Sequence, residues 1–389
     1  MDLAQSHALV LVAIGVLFLG GLALDAFGRI VHVPRVTLLM LLGALLGPPI
    51  LDVLPDAIAD GNPIYTDLAL TMVAFLLGSS LSRATLAAHG REILLISIIV
   101  VLVSITLVAG GLYLLGVPLP IALLLGGISA ATAPAATHDV IRQSGKTGKF
   151  VTNLTGIVAI DDAWGLLAFS VLLTLAALLL GNGTDGGAVF HAFYEAGGGI
   201  VLGFAIGLPA AYLTGRLKQG EPSLVEAIGV VMLCTGLSLY FEVSFLLTGM
   251  VCGAVIVNFA RHHDRPFHEI ERIEWPFLLL FFVMAGASLH VEAVLALGVA
   301  GVGYCVLRFG ARLVGGWLGG KASGLPAGEG VLMGMALMPQ AGVAIGMALV
   351  ASDHFPQYRE TLVTITIAST IFFEIVGPLM TQYALKKTD

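Results

Sequence analysis

The sequence predicts an all-α polytopic membrane protein of about thirteen transmembrane helices in two inverted repeats, with two discontinuous helices. Three observations carry this. Of 389 residues, 58% are apolar and 11% charged, less than half the roughly 25% of a soluble domain. Mean hydropathy is +0.99, and apolar runs of about 20 residues, the length that crosses a bilayer, recur from end to end. Matched prolines interrupt two of those runs. A soluble multidomain enzyme, a nucleic-acid binder and a disordered scaffold are excluded by this composition. Cys234, Cys252 and Cys305 all fall in apolar runs without paired spacing, so neither disulfides nor a metal site are expected.

Taken in order, the apolar windows are 7–28, 34–54, 64–82, 92–116, 119–141, 151–180, 188–214, 223–240, 243–260, 274–290, 293–319, 329–350 and 358–384. The first follows Met1-Asp2-Leu3 without a basic leader and reads as a retained span. Arg29 and Arg35 separate it from the second, and Arg83 and Arg91 lie between the third and fourth. Only Pro118–Pro120 divides the fourth from the fifth. Arg142, Lys146 and Lys149 close the fifth, and Arg216 with Lys218 closes the seventh. Tyr240–Glu242 is a short break after the eighth. The polar stretch from Arg261 to Glu274, with His262, His263 and His268, reads as a solvated connector before the tenth. Lys321 follows the eleventh, and Arg359 stands at the start of the last.

Odd parity places the termini on opposite sides. With the N-terminus outside, 15 of the 18 Lys and Arg fall in cytosolic segments; outside segments keep only Arg359, and Arg308 and Arg312 stay within a span. The positive-inside rule therefore orients the chain N-out and C-in, in the cell (inner) membrane.

An internal repeat emerges when AFLLGSSLSRATL (74–86) is laid on FFVMAGASLHVEAVL (281–295): Gly78 meets Gly286 and Leu81 meets Leu289. Pro134 in ATAPAATHDVI and Pro339 in LMPQAGVAIGM fall at nearly the same offset. Spans 1–6 and 8–13 would be the repeats, and the single span between them inverts the second. That plan belongs to secondary transporters, whose sites lie at the midplane beside discontinuous helices.

Five ionisable residues sit deep in apolar runs: Asp161, Asp162, Arg308, Arg312 and Glu374. Each costs about 2.5–3.5 kcal/mol at a helix centre, so they must pair or meet water. Asp161 and Asp162 point about 100° apart on a helix and do not share one partner comfortably; one is expected to face a protein cation and the other an aqueous cavity. Arg308 and Arg312 share a helix face and repel each other, so their partners should differ or one should sit closer to water. Arg312 is the candidate partner of Asp161, and Arg308 is either charge-compensating or a structural ion. Gly315, Gly316, Gly319 and Gly320 would let another helix approach closely. Pro134 and Pro339 free backbone carbonyls at their breaks, which are cation ligands when they line a cavity; Thr132 and Gln340 could add side-chain oxygens. Glu374 has no nameable partner and stands as a possible accessory acid.

These residues bring out a resemblance. RIVHVPRVTLLMLLGALLGP, ATAPAATHDVIRQSGKTGKF followed by GIVAIDDAWG, MPQAGVAIGMAL and FEIVGPLM together resemble the monovalent cation/proton antiporter superfamily, the bacterial sodium/proton exchangers with a 13-span fold, over essentially the whole length. The resemblance implies a homodimer. Spans at about 7–82 and 223–290 would form the dimerisation part, about 92–180 and 293–384 the ion-binding core with its broken helices crossing, and about 188–214 the linker helix. It also implies Asp162 as the ion and proton carrier and Asp161 as the acid paired with a basic residue, here Arg312. Relatives with an acidic pair commonly carry Lys at that position, and Arg stays protonated.

The expected function is thus exchange of sodium or lithium for protons by alternating access, with potassium as the alternative cation; no cofactor and no enzymatic activity are expected. An intramembrane aspartyl protease also uses two buried Asp. Its acids come from different helices, one in a Gly-x-Gly-Asp context, and no such string occurs here.

Overall fold

A computed structural model describes residues 3–31, 33–48, 50–55, 63–180, 187–214, 223–260, 264–287, 298–340 and 342–388. Among these residues there are fifteen α-helices, two 3₁₀ turns and no strands. Hydrophobic content sets this outcome, because helices satisfy their own backbone groups where water is absent. The first helices are α1 (Leu3–Val31), α2 (Arg35–Leu46), α3 (Pro63–Gly78), α4 (Arg83–Leu114), α5 (Leu119–Ile128), α6 (Pro134–Ser144) and α7 (Lys149–Leu179). They continue as α8 (Gly187–Thr214), α9 (Ser223–Tyr240), α10 (Phe245–Phe259), α11 (Asp264–Ala287), α12 (Gly298–Ser323), α13 (Ala327–Ala336), α14 (Gly342–His354) and α15 (Arg359–Lys387). Counting α5 with α6, and α13 with α14, as one broken crossing each leaves thirteen units, in line with the hydropathy reading.

Packing falls into two groups. In one, α10 lies between α8 and α3, α11 packs on α2 and α3, and α9 touches all of α3, α8, α10 and α11. In the other, α4 packs along α12, α5 and α7, α13 lies against α12 and α15, and α14 and α6 both lie against α15. Each group has an apolar core of its own, around Met72, Phe75, Val231 and Ile270 in the first and around Leu124, Phe169, Tyr304 and Met347 in the second. A third core joins them, with Val36 and Leu39 of α2 and Leu279 of α11 set against Ile93 and Ile96 of α4 and Leu154 of α7.

Glycines set the closest helix contacts. A Cβ on Gly78 of α3 would lie 2.2 Å from the Met250 carbonyl of α10, and one on Gly286 of α11 would lie 2.0 Å from the Met40 carbonyl of α2. The two glycines aligned in the sequence therefore make the same kind of contact in different helix pairs. In the second group, a Cβ on Gly316 would meet the Gly330 carbonyl at 2.4 Å, and one on Gly334 the Arg312 carbonyl at 2.1 Å. These contacts bring α13 against α12 at the level of Arg312.

One expectation fails. The stretch read as a connector up to Glu274 is helical from Asp264 onward and forms the first turns of α11. Its apolar residues Phe267, Ile270 and Ile273 recur at helical spacing and pack on the first group's core, with the Phe267 ring 4.9 Å from that of Phe75. Charge on the remaining faces hid this period. Glu274 itself is buried and pairs with Arg142 of α6.

The close approach of α12 and α13 makes a clear prediction. Gly334→Ala should lower the melting temperature of the purified protein, at a cost of about 1–3 kcal/mol from overpacking. Gly310→Ala is the control: its Cβ meets nothing within 4 Å, so it should be neutral or slightly stabilising. Equal behaviour of the two variants would contradict the packing described.

Candidate ion-binding site

The site begins with two breaks. After α5 the chain runs from Ser129 to Ala133 without regular helix, and Pro134 then opens α6 from a first-turn position, where its missing N–H is no loss. After α13 the chain leaves regular helix over Met338–Gln340, and the described chain resumes with α14. Each break leaves carbonyls without the helical N–H that would ordinarily reach them, in surroundings where Ser129, Ala131, Ala133, Leu337 and Met338 are all buried. Such carbonyls need donors.

Two arginines of α12 supply those donors. Arg308 donates from Nε to the Ser129 carbonyl at 3.1 Å, from Nη2 to Ala131 at 2.9 Å and from Nη1 to Met338 at 2.9 Å. One side chain thus ties both breaks together, and its guanidinium carbon also lies 4.2 Å from the centre of the Phe373 ring of α15. Arg312 donates from Nη2 to the carbonyls of Ser129, Ala130 and Ala131 at 3.2, 2.6 and 3.0 Å. Both side chains are fully buried. Arg308 and Arg312 therefore share two acceptors, Ser129 and Ala131. The expectation that their partners would differ, or that one would sit closer to water, is corrected: both are fully buried, and unwound peptide groups present enough aligned partial negative charge to hold two cations at one place.

Asp161 of α7 is the acid that meets this cluster. Its Oδ2 lies 3.4 Å from Nη1 of Arg312, and its Oδ1 accepts from the Ser97 hydroxyl of α4 at 3.4 Å. Thr132 is buried with its hydroxyl next to this carboxyl, in no well-formed hydrogen bond among the described residues. Gln340, in the second break, donates from Nε2 to the Tyr304 hydroxyl at 3.4 Å; its Oε1 is buried without a partner among the described residues. A hydroxyl oxygen and an amide oxygen are thus left over beside the two breaks, and both are oxygen donors suited to a small hard cation. Asp162 continues the backbone of α7, and its side chain lies outside the described residues. Glu374 is half-buried in α15, with no ion pair or hydrogen bond among the described residues.

The structure thus gathers Asp161, Thr132, Arg308, Arg312, Pro134, Pro339 and Gln340 around the two breaks. Gly377 of α15 packs so tightly on the second that a Cβ there would lie 2.5 Å from the Cα of Pro339. Residues that sequence reasoning missed are Ser97, Tyr304 and Phe373; the freed carbonyls at the breaks were expected, but as cation ligands and not as acceptors for Arg308 and Arg312. A serine in an apolar helix carries no signal of its own. A second cluster, also missed, bridges the two helix groups. Arg35 of α2 donates from Nε to both carboxylate oxygens of the buried Asp139 of α6, at 2.9 and 2.8 Å, and its guanidinium lies 3.8 Å from the Trp275 ring of α11.

Removing one member of a buried ion pair strands the other, at about 3–5 kcal/mol. Arg312→Ala should therefore destabilise strongly, and adding Asp161→Asn should recover part of the loss, read as melting temperatures across the double-mutant cycle. Arg312→Lys should rescue poorly, because an ammonium cannot serve three carbonyls and a carboxylate in the geometry of a guanidinium. Strictly additive losses would show that Asp161 and Arg312 are not coupled.

Comparison with known proteins places this architecture. Residues 14–387 match the family model described as sodium/hydrogen exchanger, transmembrane. An ammonium/H⁺ antiporter subunit, AmhT, of Alkalihalophilus pseudofirmus is 20% identical over 362 residues, covering 92% of this chain and 88% of the relative. The Na⁺/H⁺ antiporter ApNhaP of Aphanothece halophytica is 29% identical over 170 residues, which is 41% of this chain and 32% of that protein. The solved structure of the sodium proton antiporter MjNhaP1 of Methanocaldococcus jannaschii at pH 8 superposes over 100% of this chain and 99% of its own, with a TM-score of 0.71 at 20% identity.

Proposed function

We propose, from the premise that the chain belongs to the sodium/hydrogen exchanger family of transmembrane proteins, that it is a secondary transporter exchanging a monovalent cation for protons by alternating access. The observation that carries this reading is the Asp161–Arg312 pair set among the carbonyls of a broken helix. Arg312 keeps its proton at any physiological pH, so Asp161 stays ionised and engaged. The acid free to change occupancy is then its neighbour, Asp162. Cation and proton compete for that one carboxylate, and the unused oxygens of Thr132 and Gln340 are available to complete a dehydrated cation's shell. Glu374 stands as an accessory acid.

Either loaded form of the carrier then has the same net charge, one cation replacing one proton, and the exchange is electroneutral. The cation is sodium or lithium. Ammonium is the second reading, favoured by the relative whose likeness runs along most of the chain; potassium follows.

The chain is N-out and C-in by its distribution of Lys and Arg. It works as a homodimer in the cell (inner) membrane, with 7–82 and 223–290 as the dimerisation part, 188–214 as the linker and 92–180 with 293–384 as the moving core.

The test is proton flux in proteoliposomes with sodium, lithium, ammonium and potassium offered in turn. Sodium and lithium should drive it. Their apparent affinity should weaken as pH falls, about tenfold per unit once the proton is the main competitor. Asp162→Asn should abolish exchange while the protein elutes as a folded species. Robust exchange by that variant would sink the assignment.

A further inference from the structure

The corner where α1, α6 and α15 end together holds a cavity lined by none of the residues of the candidate ion site. Its volume is about 230 Å³, and Arg29, Lys146, Lys386, Gln143, Gln382 and Ser144 contribute its polar lining. Three cations and, among the described residues, no carboxylate face it. Helix α6 stops here because Gly145 takes a left-handed φ of +63°, which turns the chain so that Lys146 follows beside the end of α15, where its ammonium donates to the Thr388 carbonyl. Arg29 is engaged by Asp25 one turn back, at 2.8 Å. Lys386 is exposed and has no ion pair among the described residues.

Among the described residues Asp25 is the one acid paired with a lining cation, and the described lining keeps a net positive charge. Three helix C-termini add partial negative charge, which accounts for the presence of cations but not for a cavity between them. Two amides beside three cations make a donor set for an oxyanion, while the Ser144 hydroxyl is already given to the Ile141 carbonyl. The volume admits a phosphate with its ester substituent. Gly28 and Leu385 supply apolar wall on one side, as a ligand with a hydrocarbon part would need.

We propose that this corner is a binding site for a phosphate-bearing anion, the chemistry shared by the headgroup of an anionic phospholipid and by free phosphate. The site joins α1 to α6 and α15. Its ligand therefore ties the end of the first helix to the broken helix that runs from the Ser129–Ala133 break, and to the helix that carries Glu374 and Phe373. In the orientation proposed above it lies at the cytosolic surface, where polybasic clusters meet anionic headgroups. The site itself does not depend on antiport.

The experiment uses the full chain, delipidated in neutral detergent. Melting temperature is read against inorganic phosphate with chloride at matched ionic strength, and separately against short-chain phosphatidylglycerol with phosphatidylcholine as the neutral control. Ligand that binds the folded state raises the melting temperature in proportion to its occupancy.

The wild type should be stabilised by at least one of the two anions beyond its control. Lys146→Gln with Lys386→Gln should lose most of that shift, and Lys386→Arg should keep it. A response to lipid alone identifies a headgroup site, and a response to both or to phosphate alone identifies a site open to soluble anion. If the double variant does not fold, the exposed Lys386→Gln carries the comparison and should at least halve the shift. Indifference of the wild type to both anions, or an undiminished response in the variants, overturns the proposal.

Discussion

Two guanidinium groups on one helix make the hydrogen bonds that two broken helices cannot make for themselves, and the rest of the site depends on them. Breaking a helix inside a membrane exposes carbonyls where no water can compensate, and each unsatisfied group costs several kcal/mol. Arg308 and Arg312 answer six such contacts between them, five on the first break and one on the second. In return the carbonyls hold two cations that would be intolerable alone. One carboxylate, Asp161, offsets part of the remaining charge.

That arrangement constrains both packing and chemistry. The helix bearing the arginines must lie close to α13 and α4 at once, which explains the glycines along it: Gly316 and Gly320 face α13, while Gly315 and Gly319 face Val100 and Ile96 of α4. On the proposed mechanism it also keeps a permanent cation beside Asp161, since a guanidinium does not release its proton. A lysine in the same place could trade its proton with the transported ion, and a guanidinium cannot. The choice of base therefore bears on stoichiometry as well as on stability. On that proposal a neighbouring acid does the exchanging.

The helical crossings were legible because composition forces them, and the two breaks because proline leaves a mark in a membrane run. Arg308 and Arg312 stood out by cost alone. Proline marked the freed carbonyls too, but nothing in the sequence paired those of Ser129, Ala130, Ala131 and Met338 with the arginines, and this is why two like charges four residues apart were expected to part company. Ser97 was invisible for a related reason, since one hydroxyl in an apolar helix satisfies itself without comment. The first turns of α11 were misread because charge around Phe267, Ile270 and Ile273 diluted an apolar face that packs against α3. The link from Arg35 to Asp139 needed the fold, because the two lie over a hundred residues apart.

The central claim is that Arg312 locks Asp161 in its charged form, so that a single acid cycles and charge is not moved. It is tested most directly by clamping proteoliposomes at a series of potassium-diffusion potentials while opposing sodium and proton gradients are varied, and finding the gradient ratio at which net flux reverses. The account predicts reversal where the sodium and proton ratios are equal, at every voltage. A reversal point that moves with voltage would mean that a second proton travels, and that Asp161 or Glu374 gives up the fixed role assigned to it.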